Sequence, residues 1–303
     1  MKPGGIARLV TGALLTSAAW IASAATANPE PWQLNLTRGA TPTSQQIYHL
    51  HMAGFWTCVV IGVVVFTAMI IAMVRFRRSK GAIAETWNHN TRLEVVWTII
   101  PVLILVGLAW PSTRVLMHMA DTTNAEMTVK VTGYQWKWRY DYIDYQGRTV
   151  DKVGFMSKLD FDSDRTRQRG SGLDPQDVRD EEGFASYLLN VDKPLVLPTG
   201  IKIRFVITAE DVIHSWWVPS LGYKIDAIPG IVNDSWALIE KPGLYRGQCA
   251  ELCGQDHGFM PVVIKAVTPA EFEQWLAAQE DESSLQRAAR TAQADTATAT
   301  PRG

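Results

Sequence analysis

Cys249 and Cys253 stand four residues apart, His257 follows four later, and Met260 comes three after that. Upstream, His214 lies just before Trp216 and Trp217, at the end of a β-like run. Thiolate and thioether sulfur favour copper, imidazole accepts it, and methionine is the usual weak axial ligand of a copper electron-transfer site. A mononuclear site of that kind needs one Cys, two His and a Met, so one cysteine is in excess. Two thiolates can bridge two coppers, with His214 and His257 terminating one each. Met260 then completes one ion, and a backbone carbonyl, that of Glu251, the other. A disulfide between the cysteines, common in oxidising compartments, leaves both histidines unexplained. A structural Cys₂His₂ zinc site leaves Met260 without a role. Taken together, the five side chains point to a metal.

Such a loop needs a scaffold, and the chain divides into parts that could supply one. Its 303 residues carry a formal net charge of −1, which argues for no particular partner, and no nucleic acid is expected as one. The 47% hydrophobic content is ordinary, but it gathers in three early blocks. In residues 1–27, Lys2 and Arg8 precede an apolar run that ends in small residues, the pattern of a secretory signal peptide cut after Ala24 or Ala27. No cysteine lies near that cut to carry a lipid. A segment 28–120 then holds two membrane spans, about 54–74 and 95–117, with a kink expected at Pro101. Arg75, Arg77, Arg78, Lys80 and Arg92 fill the loop between them, whereas only Arg38 lies between the expected cut and the first span. Positive-inside bias places that loop in the cytoplasm and both termini outside. Cys58 reads as a packing residue of the first span, and His49 and His51 as interfacial polar residues.

From Met127 the apolar period becomes two, as in a half-buried strand. After Gly133 the parity flips and Tyr134, Trp136, Trp138, Tyr140 and Tyr142 share a face, so a bulge or bend is expected at the glycine. Further strands are expected at Ile201–Thr208, Asp234–Glu240 and Met260–Val267, giving an all-β sandwich or barrel over 121–280. Residues 144–190, with Arg165, Arg167 and Arg169 among Asp160, Asp162, Asp164, Asp174, Asp177 and Asp180, read as a solvated insertion. Thr268 and Glu271 form a capping box opening a short helix through Trp275 and Leu276. Residues 281–303 read as a disordered tail, with no Cys-x-x-Cys-His haem motif.

The metal loop, together with the segments Ser220–Gly230 and Pro242–Cys249, resembles subunit 2 of cytochrome c oxidase, and matching segments run from about Trp32 to Trp275. The resemblance implies an N-terminal two-helix transmembrane hairpin followed by an all-β cupredoxin-like Greek-key barrel. It implies a dinuclear copper centre on His214, Cys249, Glu251 (through its carbonyl), Cys253, His257 and Met260. Its further implications concern single residues. Trp136 is the electron entry point where cytochrome c docks, and Glu94 stands at the mouth of a proton path in catalytic subunit 1. The Glu251 side chain helps hold a magnesium ion shared with that subunit, with Lys224 and Asp226 supporting the junction. Glu210, Asp211 and Asp234 are candidates for an acidic docking face.

The implied function is transfer of electrons from a separate cytochrome c, through the copper pair, to haem in the catalytic subunit. There oxygen is reduced to water, coupled to proton pumping. The implied setting is a bacterial inner membrane, in contact with lipid, with the copper domain on the periplasmic side. The chain is then an enzyme only as part of a complex. A quinol-oxidase relative would lack the ligands, a copper carrier would hold its metal more openly, and a nitrous oxide reductase would carry a large extra domain and no hairpin.

Overall fold

The two apolar blocks form helices longer than the blocks themselves. In a computed structural model, which describes residues 32–150, 152–180 and 183–298, α1 spans Pro42–Arg75 and α2 spans Thr91–Ala120. The signal segment 1–27 lies outside the described residues. Thr41 caps α1: its hydroxyl accepts from Ser44 N at 3.0 Å, while its own N–H donates to Ser44 Oγ at 3.1 Å. Asn90 caps α2, accepting from Arg92 N and Leu93 N. Pro101 and Pro111 both lie inside α2, which continues through them as one helix. Both helices are long and apolar enough to cross a membrane, and their apolar side chains face outward along the spans.

The rest is two sheets face to face. The first contains β1 (Met127–Tyr134), β2 (Lys137–Tyr145), β3 (Arg148–Thr149), β4 (Gly154–Ser157), β6 (Lys202–Ala209) and β9 (Asn233–Leu238), in the order β3-β2-β1-β6-β9 with β4 also on β2. The second contains β5 (Leu195–Pro198), β7 (His214–Val218), β8 (Tyr223–Ala227), β10 (Gly243–Cys249) and β11 (Pro261–Val267), in the order β5-β11-β10-β7-β8. The β1–β6 and β5–β11 pairs are parallel, so the chain crosses between sheets rather than meandering. Along β6 every second residue is buried, the pattern its alternation predicted. Val131, Trp138, Tyr140 and Phe205 from one sheet meet Leu197, Trp216, Tyr245 and Ile264 from the other in one buried cluster. The architecture is the expected one: a membrane anchor of two helices, then an all-β cupredoxin-like domain.

Three local expectations change. The parity flip after Gly133 is not a bulge there but a hairpin, since Tyr134 pairs with Lys137 across Gln135 and Trp136. Reversal of the chain exchanges faces just as a bulge would, and the only register shift in β1–β2 falls between Thr128 and Val129. Residues 144–190 are not a solvated excursion. They finish β2, return to it as β3 and β4, form the short helix α3 (Phe161–Thr166), and bury Leu159, Ser163, Val178 and Ser186. Their apolar anchors are too widely spaced among charges to show a period. The third change concerns the stretch beyond Asp281, which continues α4 (Pro269–Thr298) instead of lacking structure. It is rich in Ala, Gln and Arg, all good helix formers, and meets no proline before Pro301.

The hairpin is fastened to the β domain at both its outer ends. Ala40 N donates to Ser220 O at 2.7 Å, Glu240 N to Ala40 O at 3.2 Å, and Thr41 Oγ1 to Leu221 O at 2.9 Å. At the end of α2, Trp236 Nε1 donates to His118 O at 3.1 Å and Lys202 Nζ to Asp121 O at 2.7 Å.

Candidate metal centre

The second sheet brings the ligands together. β7 begins at His214 and β10 ends at Cys249, and these strands pair through Cys249 and Trp216. Cys249 N donates to Met260 O at 2.9 Å, closing the loop that carries Cys253 and His257. The sulfur and nitrogen atoms then form a run of close neighbours, bent so that the first three close on one another. His214 Nδ1 lies 3.9 Å from Cys249 Sγ, Cys249 Sγ 3.8 Å from Cys253 Sγ, and Cys253 Sγ 3.5 Å from His257 Nδ1. His214, Cys249 and Cys253 offer donor atoms all within 4.8 Å of one another. Met260 is buried in the same cluster as the two cysteines, which are free thiols. Glu251 turns two ways. Its carbonyl lies 3.4 Å from Cys249 Sγ, while its carboxylate points outward, 3.9 Å from Lys224 Nζ.

Donor chemistry tests whether a metal fits. For Cys249, burial pushes the thiol up, but hydrogen bonding with His214 and with the backbone at Glu251 and Ser215 outweighs this and lowers it to about 7. For Cys253, burial and then the charge of Cys249 push the second thiol up to about 12. The pair therefore carries at most one negative charge near neutrality unless a cation sits between them. Two buried sulfurs, two imidazoles and a buried thioether neighbour make that cation a soft one. His214 is fully buried; burial works to lower its pKa, yet its bonds to Cys249 and Asp211 raise it.

Residues not foreseen as part of the site hold it in shape. Asp211 Oδ1 lies 2.9 Å from His214 Nε2, which leaves Nδ1 facing Cys249. The other oxygen of Asp211 accepts from Gln135 N at 2.7 Å, and Gln135 Nε2 donates to Cys253 O at 2.8 Å. Of the three acids suggested for a docking face, Asp211 is thus committed to the site, and Asp234 is committed to Arg204 at 2.6 Å. Gly133 leaves room for the imidazole, since a Cβ there would lie 2.8 Å from His214 Cδ2. Trp138 meets His214 edge-on, with ring centroids 5.8 Å apart. The only sequence hint of these roles is that Asp211 precedes His214 by three residues. The partners Asp211 and Gln135 are 76 positions apart.

Trp136 lies in the β1–β2 turn, half-buried rather than exposed, with its indole against the metal loop: a Cβ on Gly254 would lie 3.2 Å from Trp136 Cζ2. Trp138 and Tyr140 are core residues, as expected. Glu94 is not near this cluster. It sits in the first turn of α2, 2.9 Å from His89 Nδ1, roughly 40 Å of helix from the β domain at 1.5 Å per residue.

Comparison with known proteins gives consistent relatives. The family model for the periplasmic domain of cytochrome C oxidase subunit II matches residues 127–267, and that for its transmembrane domain matches residues 29–115. A probable cytochrome c oxidase subunit 2 of Rickettsia felis is 38% identical over 253 residues, covering 83% of this chain and 73% of the relative. Cytochrome c oxidase subunit 2 of Mycosarcoma maydis is 38% identical over 252 residues, covering 83% and 92%. Among solved structures, the periplasmic domain of subunit II of cytochrome oxidase from Bradyrhizobium japonicum is 36% identical, covering 54% of this chain and 99% of that one, with a TM-score of 0.43.

Proposed function

This chain belongs to the cytochrome c oxidase subunit 2 family, a subunit of an oxidoreductase complex, and from that premise we propose its role within the complex. It accepts electrons one at a time from a separate cytochrome c and hands them to haem in catalytic subunit 1, where oxygen is reduced and protons are pumped. The observation that carries this reading is the His214–Cys249–Cys253–His257 cluster, with successive neighbours at 3.9, 3.8 and 3.5 Å. A copper pair held there would supply a one-electron acceptor and donor with its charge spread over two ions.

The chain's own residues do the rest. Cys249, Cys253, His214 and His257 would hold the copper pair, the two cysteines shared between the ions and one histidine to each, with Met260 and the Glu251 carbonyl completing the set. Asp211 fixes the His214 tautomer, so the ring does not turn when the charge on the site changes. The burial of both sulfurs keeps water away from them. Trp136, lying between solvent and the loop, is the entry point for electrons. The outward Glu251 carboxylate, 3.9 Å from Lys224, which also pairs with Asp226, offers hard oxygen of the kind magnesium prefers for an ion shared with subunit 1. Glu94 serves as the mouth of the proton path. With the basic loop 75–92 cytoplasmic, the β domain lies on the periplasmic side of a bacterial inner membrane and its apolar helices face lipid.

Copper content and spin resonance of the full-length chain in detergent test this reading. Two coppers sharing one unpaired electron is the expected result. Zinc, a single copper, or a Cys249–Cys253 disulfide in the metal-supplied protein would overturn it.

A further inference from the structure

The excursion between β4 and β5 touches the metal loop through Arg167 and the strand leading into that loop through Arg246. The excursion closes on itself: Asp160 N donates to Asn190 O at 3.2 Å, and Asp192 N to Lys158 O at 3.0 Å. From β10, three residues before Cys249, the buried Arg246 enters it. That side chain donates to Leu189 O at 2.8 Å and Asn190 Oδ1 at 3.2 Å, pairs with Asp180, and lies over the Phe184 ring at 5.4 Å. The second contact runs the other way. Arg167, at the end of α3, is oriented by Asp164 at 2.8 Å and reaches out to the far arm of the loop. Its Nη1 lies 3.6 Å from Asp256 Oδ1, and its guanidinium carbon lies 4.5 Å from the centroid of Phe259. Asp256 and Phe259 stand on either side of His257. The hydrogen bonds inside that turn are short-range, His257 N to Gly254 O at 3.3 Å and Phe259 N to Asp256 O at 2.9 Å.

Resting on the reading of this loop as a metal centre, we propose that the excursion is a clamp that holds the His257 turn in its ligating shape before metal arrives, with Arg167 as the positioning residue. A guanidinium is suited to this because one planar group can pair with a carboxylate and stack on an aromatic face at once. Lysine offers the charge without the plane. Ordering the turn in advance removes that entropy from the binding step, so the clamp tightens the site without touching the metal.

Amide exchange in the metal-free, full-length chain in detergent tests the clamp directly. Arg167→Ala should raise exchange over residues 254–260 roughly tenfold while leaving β1 and β6 unchanged, as local opening requires. Arg167→Lys should fall between wild type and Ala. Phe259→Leu, which removes the stack from the other partner, should loosen the same segment. In the copper-loaded chain, Arg167→Ala should speed metal loss to a chelator by a similar factor. Unchanged exchange at 254–260, or exchange rising equally in β1 and β6, would overturn the proposal. Failure to bind a copper pair at all would instead overturn the reading of the site, and the exchange result on the metal-free chain would still decide the clamp.

Discussion

At the scale of single residues, the ligands are set less by their own chemistry than by what touches their far sides. Asp211 is the clearest case, because His214 is buried and has one ring nitrogen toward Cys249 and the other on Asp211. Asp211→Ala removes that anchor and also the acceptor for Gln135 N. Copper affinity should fall about 10–100-fold, as for other partners of metal-bound histidines. Competition with a chelator measures it, and unchanged affinity would show that strand pairing alone holds the ring. Trp136 makes the complementary case, since its indole rests on the loop without belonging to the ligand set. Trp136→Phe should slow electron entry from reduced cytochrome c by about tenfold, by loss of one positioned group, and leave the copper spectrum intact. Rapid-mixing kinetics separate the two readouts. A changed spectrum would make the indole part of the loop's packing rather than an entry point.

At the scale of elements, the features legible in the sequence are those encoded over a few residues. Cys249, Cys253, His257 and Met260 lie within one short stretch, so their spacing announces the candidate ligands directly. The same holds for β6, whose alternation survives because one face meets the core. Legibility fails where a partner is distant. Nothing near Gly133 says that its missing side chain makes room for an imidazole 81 positions later in β7 (214 − 133). Arg246 and Asp180 belong to different elements, and in sequence each is one more charge. In the structure their side chains are 2% and 4% exposed. A buried ion pair is weak evidence for stability in itself, but removing one member is costly. Arg246→Met should therefore destabilise the β domain by about 3–5 kcal/mol. Pairing it with Asp180→Leu should recover most of that loss. Chemical denaturation of the single and double variants checks both values, and a single variant within ~1 kcal/mol of wild type would mean the carboxylate relaxes into water.

At the scale of the whole molecule, the metal loop and Glu94 lie at two ends joined by the helical anchor. The metal loop sits at one end of the β domain's second sheet, and α2 leaves that domain through the Trp236–His118 and Lys202–Asp121 bonds. At the far end of α2 is Glu94, held by His89 beside the Asn90 cap. A carboxylate in the first turn of a helix is favoured by the helix dipole alone, so position cannot decide between a helix-end acid and a proton entrance. The separation of the two ends can. If Glu94 admits protons, Glu94→Ala in the assembled oxidase should slow proton-coupled turnover, by about tenfold for loss of one proton-transfer group. Copper content, the copper spectrum and the rate of electron entry should stay at wild-type values, because roughly 40 Å of helix separates Glu94 from the centre. Steady-state oxygen consumption and rapid-mixing reduction, measured on one preparation, distinguish the steps. Unchanged turnover would return Glu94 to the role of a helix terminus, and slowed electron entry would mean that the hairpin carries a structural change from one membrane face to the other.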